Sequence, residues 1–212
     1  MGRALGLDKC PVFEETGDAY VTTEFGKNIP DYPTEGKTGD HWGLDIVRRV
    51  NNSNTIANIC AIADGIIFAQ RTRITGFSKE YGQGNCVYIL HDDGLTITKY
   101  YHLKYGSMPS FIADNVRVKK GQVLGTMGNT GYSYGAHLHF QVEKLNAVPE
   151  KITPSISGTP VNPEPYLKGD IIIDKDEELY QVVIGEFDAK EKAEAVQSAL
   201  KILGTASRVE KK

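Results

Sequence analysis

The central part of the chain, residues 56–143, consists of short apolar and β-branched runs separated by turn-forming residues. Asp64-Gly65, between two of these runs, is typical of a hairpin turn, and residues 91–94 predict a second turn. Short strands joined by tight turns predict a mainly β chain whose antiparallel sheet folds into a sandwich or partial barrel. The predicted strands lie at residues 56–62, 66–69, 86–90, 95–101, 116–118, 122–125 and 136–143, with the fifth and sixth expected to pair through a turn at residues 119–121.

A proline-rich stretch, residues 145–176, separates this region from a C-terminal segment of different character. A strand-like run begins at Leu179, and Asp188 fits the N-cap of a helix that ends before Gly204. The chain is therefore predicted to contain a β domain over residues 1–168, a linker over residues 169–178 and a small βαβ module over residues 179–212.

The composition argues against several classes of protein. A net charge of −3 over 212 residues disfavours a nucleic-acid partner, since such proteins usually carry a basic stripe. No apolar run approaches the roughly 20 residues of a membrane-spanning helix, so no membrane partner is expected. Cys10, Cys60 and Cys86 form no Cys-x-x-Cys pair, which argues against a zinc ribbon. The N-terminus lacks the apolar core of a signal peptide, so synthesis in the cytoplasm without a signal is expected.

Histidines and one aspartate suggest a metal centre. His137 and His139 are two residues apart in a predicted strand, so both side chains point to the same side. His41 and Asp45 add a nitrogen and an oxygen donor of the kinds that zinc accepts. Gly43 between them is expected to let the backbone turn sharply enough for both to reach one ion. Three protein ligands would leave one zinc position for water and leave spare histidines for proton transfer.

Some competing interpretations can be tested against the sequence. No His-Glu-x-x-His motif and no nucleotide-binding Walker loop is present. Glycine-rich residues 125–131 follow a strand without opening a helix, so we expect a loop beside the site rather than a phosphate cradle. His91, before an Asp-Asp-Gly turn, is interpreted as a structural residue. Tyr100 is in strand phase with His102 and is expected either to line the site or to pack beside that histidine.

The motifs also follow a recognisable order along the chain. In sequence they are His41-x-x-x-Asp45, Asp64-Gly65, Tyr100-x-His102-Leu103, Lys120-Gly121-Gln122, Gly128-x-Thr130-Gly131 and Gly135-x-His137-Leu138-His139-Phe140, with Phe25-Gly26 before them and Asn162-Pro163 after them. This order resembles that of the lysostaphin-like (LytM-type) zinc peptidases over residues 20–168.

The resemblance implies a small antiparallel β fold with a groove, and cleavage of stem peptides or cross-bridges of bacterial peptidoglycan. Carried over residue by residue, it implies that His41, Asp45 and His139 bind one zinc ion per chain and that His102 and His137 form the catalytic pair. Each metal-ligand position of the family pattern carries a metal-binding residue in this sequence. This favours catalysis over a peptidoglycan-binding or amidase-activating protein of the same fold. A metal-dependent amidase that cuts between glycan and peptide is a third alternative.

The C-terminal module resembles one half of a sporulation-related repeat (SPOR), a family that binds peptidoglycan glycan strands, over residues 180–187 and 190–203. We expect it to bind the cell wall or to join two chains in a homodimer. A cytoplasmic start together with these two parts predicts a phage endolysin that acts on the wall after release, with an exported host autolysin as the alternative. Whether Asn28 or Asp31 covers the zinc in a resting form stays open.

Overall fold

The computed structural model describes residues 2–30 and 38–173, so the predicted module at residues 179–212 and part of the linker lie outside the described residues. Within them no helix has the length and apolar character that a membrane span requires. The described elements are β1 (Arg3–Ala4), β2 (Asp18–Thr23), β3 (Gly26–Pro30), β4 (Thr38–His41), β5 (Leu44–Val50), β6 (Ser53–Thr55), β7 (Asn58–Cys60), β8 (Gly65–Arg71), β9 (Asn85–His91), β10 (Thr96–Leu103), β11 (Arg117–Val118), β12 (Val123–Thr126), β13 (Leu138–Lys144), β14 (Thr159–Val161) and α1 (Glu164–Lys168).

Most of these strands form one antiparallel sheet of ten strands. Its central order is β1-β2-β5-β13-β10-β9-β8-β11, with β6 paired to β5 and β14 paired to β13. The strands β7 and β12 form a second, two-stranded sheet, and β3 and β4 form a third. The predicted fold class, mainly β with an antiparallel sheet, is confirmed.

Two predicted strand pairings are wrong. The strand before Asp64-Gly65, β7, pairs with β12, so this turn connects two different sheets instead of closing a hairpin. The strands on either side of residues 119–121 also do not pair, because β11 joins β8 and β12 joins β7. The turn at residues 91–94 does join the paired strands β9 and β10, as predicted. Local turn chemistry favours a change of direction, but partners are selected by long-range packing.

The central strands have one apolar face and one polar face, because successive side chains of a strand point to opposite sides. On β13, Leu138, Phe140 and Val142 are completely buried in the main hydrophobic cluster. The polar side chains of that strand, His139, Gln141 and Glu143, alternate with them and lie on the other face. The functional side chains described below extend from this polar face.

Tyr100 of β10 belongs to the apolar face. Its ring is fully buried and contacts Phe140 at a centroid distance of 5.3 Å, and its hydroxyl accepts a hydrogen bond from Ile62 N–H at 3.0 Å. The expectation that Tyr100 lines the site is therefore wrong. His91, by contrast, is buried between the Asp64 carbonyl at 2.9 Å and Thr98 Oγ1 at 2.7 Å, which confirms its structural interpretation.

We expect Tyr100→Phe to lower the free energy of unfolding by about 1–3 kcal/mol, because the buried Ile62 N–H loses its partner. Urea denaturation of the two proteins measures the difference. Tyr105→Phe is the matched control, since Tyr105 is 53% exposed, and its effect should stay within about 0.5 kcal/mol. Equal small effects for both variants would show that the Tyr100 hydroxyl does not stabilise the core.

Candidate metal centre and catalytic cavity

The three predicted metal ligands come together where β5 meets β13. Asp45 and His139 are directly opposite each other in this strand pair, and His41 ends β4 just before Trp42-Gly43 leads into β5. His41 Nε2 lies 3.1 Å from Asp45 Oδ1 and 2.9 Å from His139 Nδ1, and the latter two atoms are 3.0 Å apart. All three side chains are buried. The structure therefore brings together the ligand set predicted from the motifs.

The donor triangle fits a zinc ion. Ligand atoms about 2.0–2.2 Å from a tetrahedral zinc lie about 3.3–3.6 Å from one another, a few tenths of an ångström more than the 2.9–3.1 Å separations found here. Two imidazoles and one carboxylate are donor types that zinc uses in catalytic sites. The same three residues form a group of close donors able to hold a metal ion. We conclude that His41, Asp45 and His139 form a metal site suited to zinc.

Neighbouring groups determine which nitrogen of each ligand histidine faces the metal position. His41 donates Nδ1–H to the Glu24 carbonyl at 2.7 Å, which leaves Nε2 as its donor to a metal. His139 has the opposite arrangement, with Nε2 3.3 Å from Gln141 Oε1 and Nδ1 turned toward the other ligands. Tyr101 stacks on His139 with ring centroids 4.8 Å apart and planes 6° apart. Both rings are thus oriented by contacts beyond the ligand set.

Gly43 is required by close packing against a ligand, and the conformational reason predicted for it is wrong. Its φ is not positive, so the backbone conformation does not demand glycine. A Cβ at this position would lie 2.6 Å from His139 Nε2 and 2.6 Å from the Phe140 carbonyl oxygen. Any larger residue would displace the ring of a metal ligand or the strand that carries it.

The predicted catalytic pair, His102 and His137, lies beside the metal ligands. Their ring centroids are 4.7 Å apart, and His137 Nε2 lies 3.4 Å from Asp45 Oδ1. His137 donates Nδ1–H to the Gly135 carbonyl at 2.8 Å, and His102 donates Nδ1–H to the Thr130 carbonyl at 2.8 Å. In the neutral form, each ring therefore keeps Nε2 as the nitrogen that can accept a proton.

A β-bulge turns His102 toward the site. Tyr101 stacks on His139, so the next residue of a regular strand would point to the core. Instead, the pairing of β10 with β9 shifts between Tyr100 and Leu103, and His102 adopts a left-handed backbone conformation with φ of 63°. Bulges near active sites commonly redirect a side chain in this way. The backbone N–H of His102 donates a hydrogen bond to the Gln83 carbonyl at 3.0 Å, which stabilises the irregular segment.

Burial and nearby charges shift the pKa values of the cluster. Burial raises the pKa of Asp45, but its contacts with the imidazoles of His137, His139 and His41 outweigh this effect and hold the pKa well below its usual value. Burial, with the charges of His137 and His139, lowers the pKa of His102 to about 3. Asp45 is therefore ionised near pH 7, as suits a metal ligand, and His102 is neutral with its lone pair on Nε2.

The cluster opens into a cavity of about 410 Å³ whose lining includes Asp45, His102, His137, His139, Tyr132 and Tyr134. The glycine-rich loop at residues 125–131 lies beside this site, as predicted, since Thr130 binds His102. Asn28 lies in the β3–β4 hairpin and donates its backbone N–H to Asp40 Oδ1 at 3.1 Å. Asp31 lies outside the described residues.

The sequence reasoning missed three residues around His139: Tyr101, Gln141 and Glu143. A signal for the latter two was present, because polar residues occupy every second position from 137 to 143 and must share a face in a strand. Nothing comparable marked Tyr101, whose role depends on the alignment of β10 with β13.

A Gly-x-Ser-x-Gly pattern at residues 131–135 also escaped the sequence reasoning. In serine hydrolases this pattern forms a strained turn between a strand and a helix, whereas here it is followed by the strand β13. Ser133 Oγ lies 3.3 Å from His137 Nδ1, but that nitrogen donates to the Gly135 carbonyl at 2.8 Å and so cannot act as a base toward Ser133. Ser133 is therefore not placed as a nucleophile.

Comparison with known proteins agrees with this site. The model of peptidase family M23 matches residues 39–163. The glycyl-glycine endopeptidase ALE-1 of Staphylococcus capitis is 34% identical over 144 residues, which cover 68% of this chain and 33% of that protein. The peptidoglycan DD-endopeptidase ShyC of Vibrio cholerae is 34% identical over 110 residues, 52% of this chain and 22% of that protein. The chain thus spans about a third or less of the length of these relatives.

Among solved structures, the catalytic domain of lysostaphin from Staphylococcus simulans is 30% identical, with a TM-score of 0.47, over 70% of this chain and 92% of that chain. The family match covers more than half of the chain and includes the three predicted metal ligands and the predicted catalytic pair. This chain belongs to peptidase family M23.

Proposed function

We propose that this protein is a zinc-dependent endopeptidase that hydrolyses peptide bonds in the stem or cross-bridge of bacterial peptidoglycan. The observation that carries the proposal is the meeting of three donor atoms within 2.9–3.1 Å of one another, beside two further histidines in an open cavity. Relatives that share this segment are named as a glycyl-glycine endopeptidase and a peptidoglycan endopeptidase, which supports peptidoglycan peptides as the substrate class.

The chemistry follows from the site. A zinc ion on His41, Asp45 and His139 would supply a Lewis acid that acidifies water and polarises a carbonyl oxygen. His102 and His137 are each anchored through Nδ1, so proton transfer takes place at Nε2. One of them, in the neutral form, accepts the proton of the attacking water at Nε2. A histidine that carries a proton on Nε2 donates a hydrogen bond to the oxyanion that develops on the scissile carbonyl, and this proton passes to the leaving amine.

Two alternatives differ from this proposal in measurable ways. A non-catalytic protein of the same fold, binding peptidoglycan or activating an amidase, would need neither zinc nor His102. A metal-dependent amidase would use the same ligands but release free peptides from the glycan instead of cutting within the peptide. Mass spectrometry of the products from purified cell walls separates the amidase from the endopeptidase.

We also propose that the protein acts on the cell wall after release from the cytoplasm, as a phage endolysin does. The support is the combination of a peptidase domain with a C-terminal segment that resembles half of a glycan-binding repeat. A gene located in a bacterial cell-wall operon would contradict this proposal.

The predicted homodimer through residues 179–212 can be tested by comparing the molar mass in solution of the full chain with that of a chain ending at residue 173.

The metal-ligand and catalytic assignments predict different losses for two variants. His139→Ala should lose the zinc that the native chain carries at one ion per chain, whereas His102→Ala should keep zinc and clear purified walls at least about 100-fold more slowly. Metal analysis and turbidity measurements on the same samples check both. Chelation followed by zinc addition to the native protein is the control and should abolish and restore activity. Native protein without zinc, or wall clearing by both variants, would contradict the proposal.

The close packing of Gly43 predicts a further loss of metal affinity. Gly43→Ala should weaken zinc binding by about tenfold or more, because the added Cβ displaces the ring of His139. Competition with a fluorescent zinc chelator measures the affinity. Gly76→Ala is the matched control, since its Cβ would meet nothing within 4 Å, and it should bind zinc like the native protein. If the two variants have the same affinity, the close approach of Gly43 to His139 does not limit metal binding.

A further inference from the structure

A line of buried polar side chains leads away from the ligand His139. His139 Nε2 lies 3.3 Å from Gln141 Oε1, Gln141 Nε2 donates to Glu143 Oε1 at 2.6 Å, and Lys99 Nζ donates to the same oxygen at 2.5 Å. These four residues are between 2% and 8% exposed. We call the sequence His139–Gln141–Glu143–Lys99 the polar chain. It lies on the polar face of β13 and β10, behind the metal site.

Hydrogen bonds hold the carboxylate of Glu143 in place within the polar chain. Besides Gln141 and Lys99, it accepts hydrogen bonds from Ser157 Oγ at 3.2 Å and from the Gly158 backbone N–H at 2.9 Å. A buried charge is costly unless it is paired and fully hydrogen-bonded, and here both oxygens are satisfied. Because its donors come from β10, β13 and the segment before β14, the carboxylate cannot shift without breaking several bonds.

This fixed carboxylate determines which way the Gln141 amide points. An ionised carboxylate only accepts hydrogen bonds, so Gln141 must turn its NH₂ group toward Glu143. The amide oxygen of Gln141 then faces His139, and a carbonyl oxygen also only accepts. The Nε2 of His139 must therefore carry a proton, so in the neutral imidazole the lone pair is on Nδ1, the nitrogen that faces His41 and Asp45.

The stacking of Tyr101 on His139 cannot make this choice. The Tyr101 ring stacks on the imidazole and fixes its plane, with 6° between the two rings. Stacking acts equally on an imidazole protonated at either nitrogen, so it does not favour one tautomer. Within the part of the chain that the structure describes, the contact with Gln141 at Nε2 distinguishes the two forms.

We propose that Gln141 is a positioning residue that Glu143 holds in one orientation, and that it prepares His139 to bind zinc through Nδ1. This inference rests on the zinc site of the proposed function and adds a source of metal affinity to it. If the polar chain only stabilised the sheet, its loss would lower the stability of the metal-free protein without a specific effect on zinc.

The first test removes the acceptor from Gln141. Gln141→Leu should weaken zinc binding by about tenfold to a hundredfold, the usual range for a group that orients a ligand histidine. Competition with a zinc chelator gives the affinity, and thermal unfolding of the metal-free protein reports any loss of stability separately. Gln70→Leu is the matched control, because Gln70 is a half-buried glutamine on β8, three strands away from β13. It should bind zinc as the native protein does.

A second variant tests the part played by Glu143. Glu143→Gln keeps the size of the side chain but can present N–H groups to Gln141, so the amide of Gln141 is no longer forced into one orientation. It should weaken zinc binding by about threefold or more on its own, and add little in the Gln141→Leu background, since Glu143 acts through Gln141. This variant tests the inference even if Gln141→Leu does not fold.

The outcomes separate this inference from the proposed function. A native protein that binds no zinc overturns both. A native protein that binds zinc and cleaves walls, together with Gln141→Leu and Glu143→Gln variants whose zinc affinities stay within about twofold of native, overturns only the role of Gln141. Full additivity of the two substitutions would show that Glu143 does not act through Gln141.

Discussion

The pairing of β5 with β13 is the constraint on which the rest of the site depends. It places Asp45 opposite His139, and a slip of either strand by one residue would turn the ligand on that strand into the core. The neighbouring residues of both strands, among them Leu44, Ile46, Leu138 and Phe140, are completely buried on the other face, so the core itself fixes this register. Packing on the apolar face of the sheet thus positions the metal ligands on the polar face.

Two local departures from regular sheet geometry complete the arrangement of histidines in the site. The bulge at His102 turns a residue that would otherwise face the core into a neighbour of His137. Gly43 removes the side chain that would collide with the ring of His139. Each irregularity carries a cost, in backbone conformation at His102 and in lost side-chain packing at Gly43. Both irregularities occur at residues that bring the predicted ligands and the predicted catalytic pair within a few ångströms of one another.

Groups outside the ligand set orient the imidazole rings of the site. Backbone carbonyls of Glu24, Thr130 and Gly135 accept hydrogen bonds from three of the four site histidines, and the side chain of Gln141 faces the fourth. Every imidazole is therefore supported at the nitrogen that faces away from the chemistry. This arrangement explains why the donor atoms are preorganised in a triangle that fits the ion.

The amino-acid sequence by itself determined the fold class and the donor types, because strand periodicity and metal chemistry are written in local motifs. The division of the residues into metal ligands and a catalytic pair was implied by the family resemblance and stays a prediction. The sequence did not determine which strands pair, which face His102 occupies, why Gly43 is glycine or which nitrogen of His139 faces the metal. Those features were decided by the tertiary structure. They depend on contacts between residues such as His41 and His139, 98 positions apart, and no local pattern encodes the packing that brings such residues together.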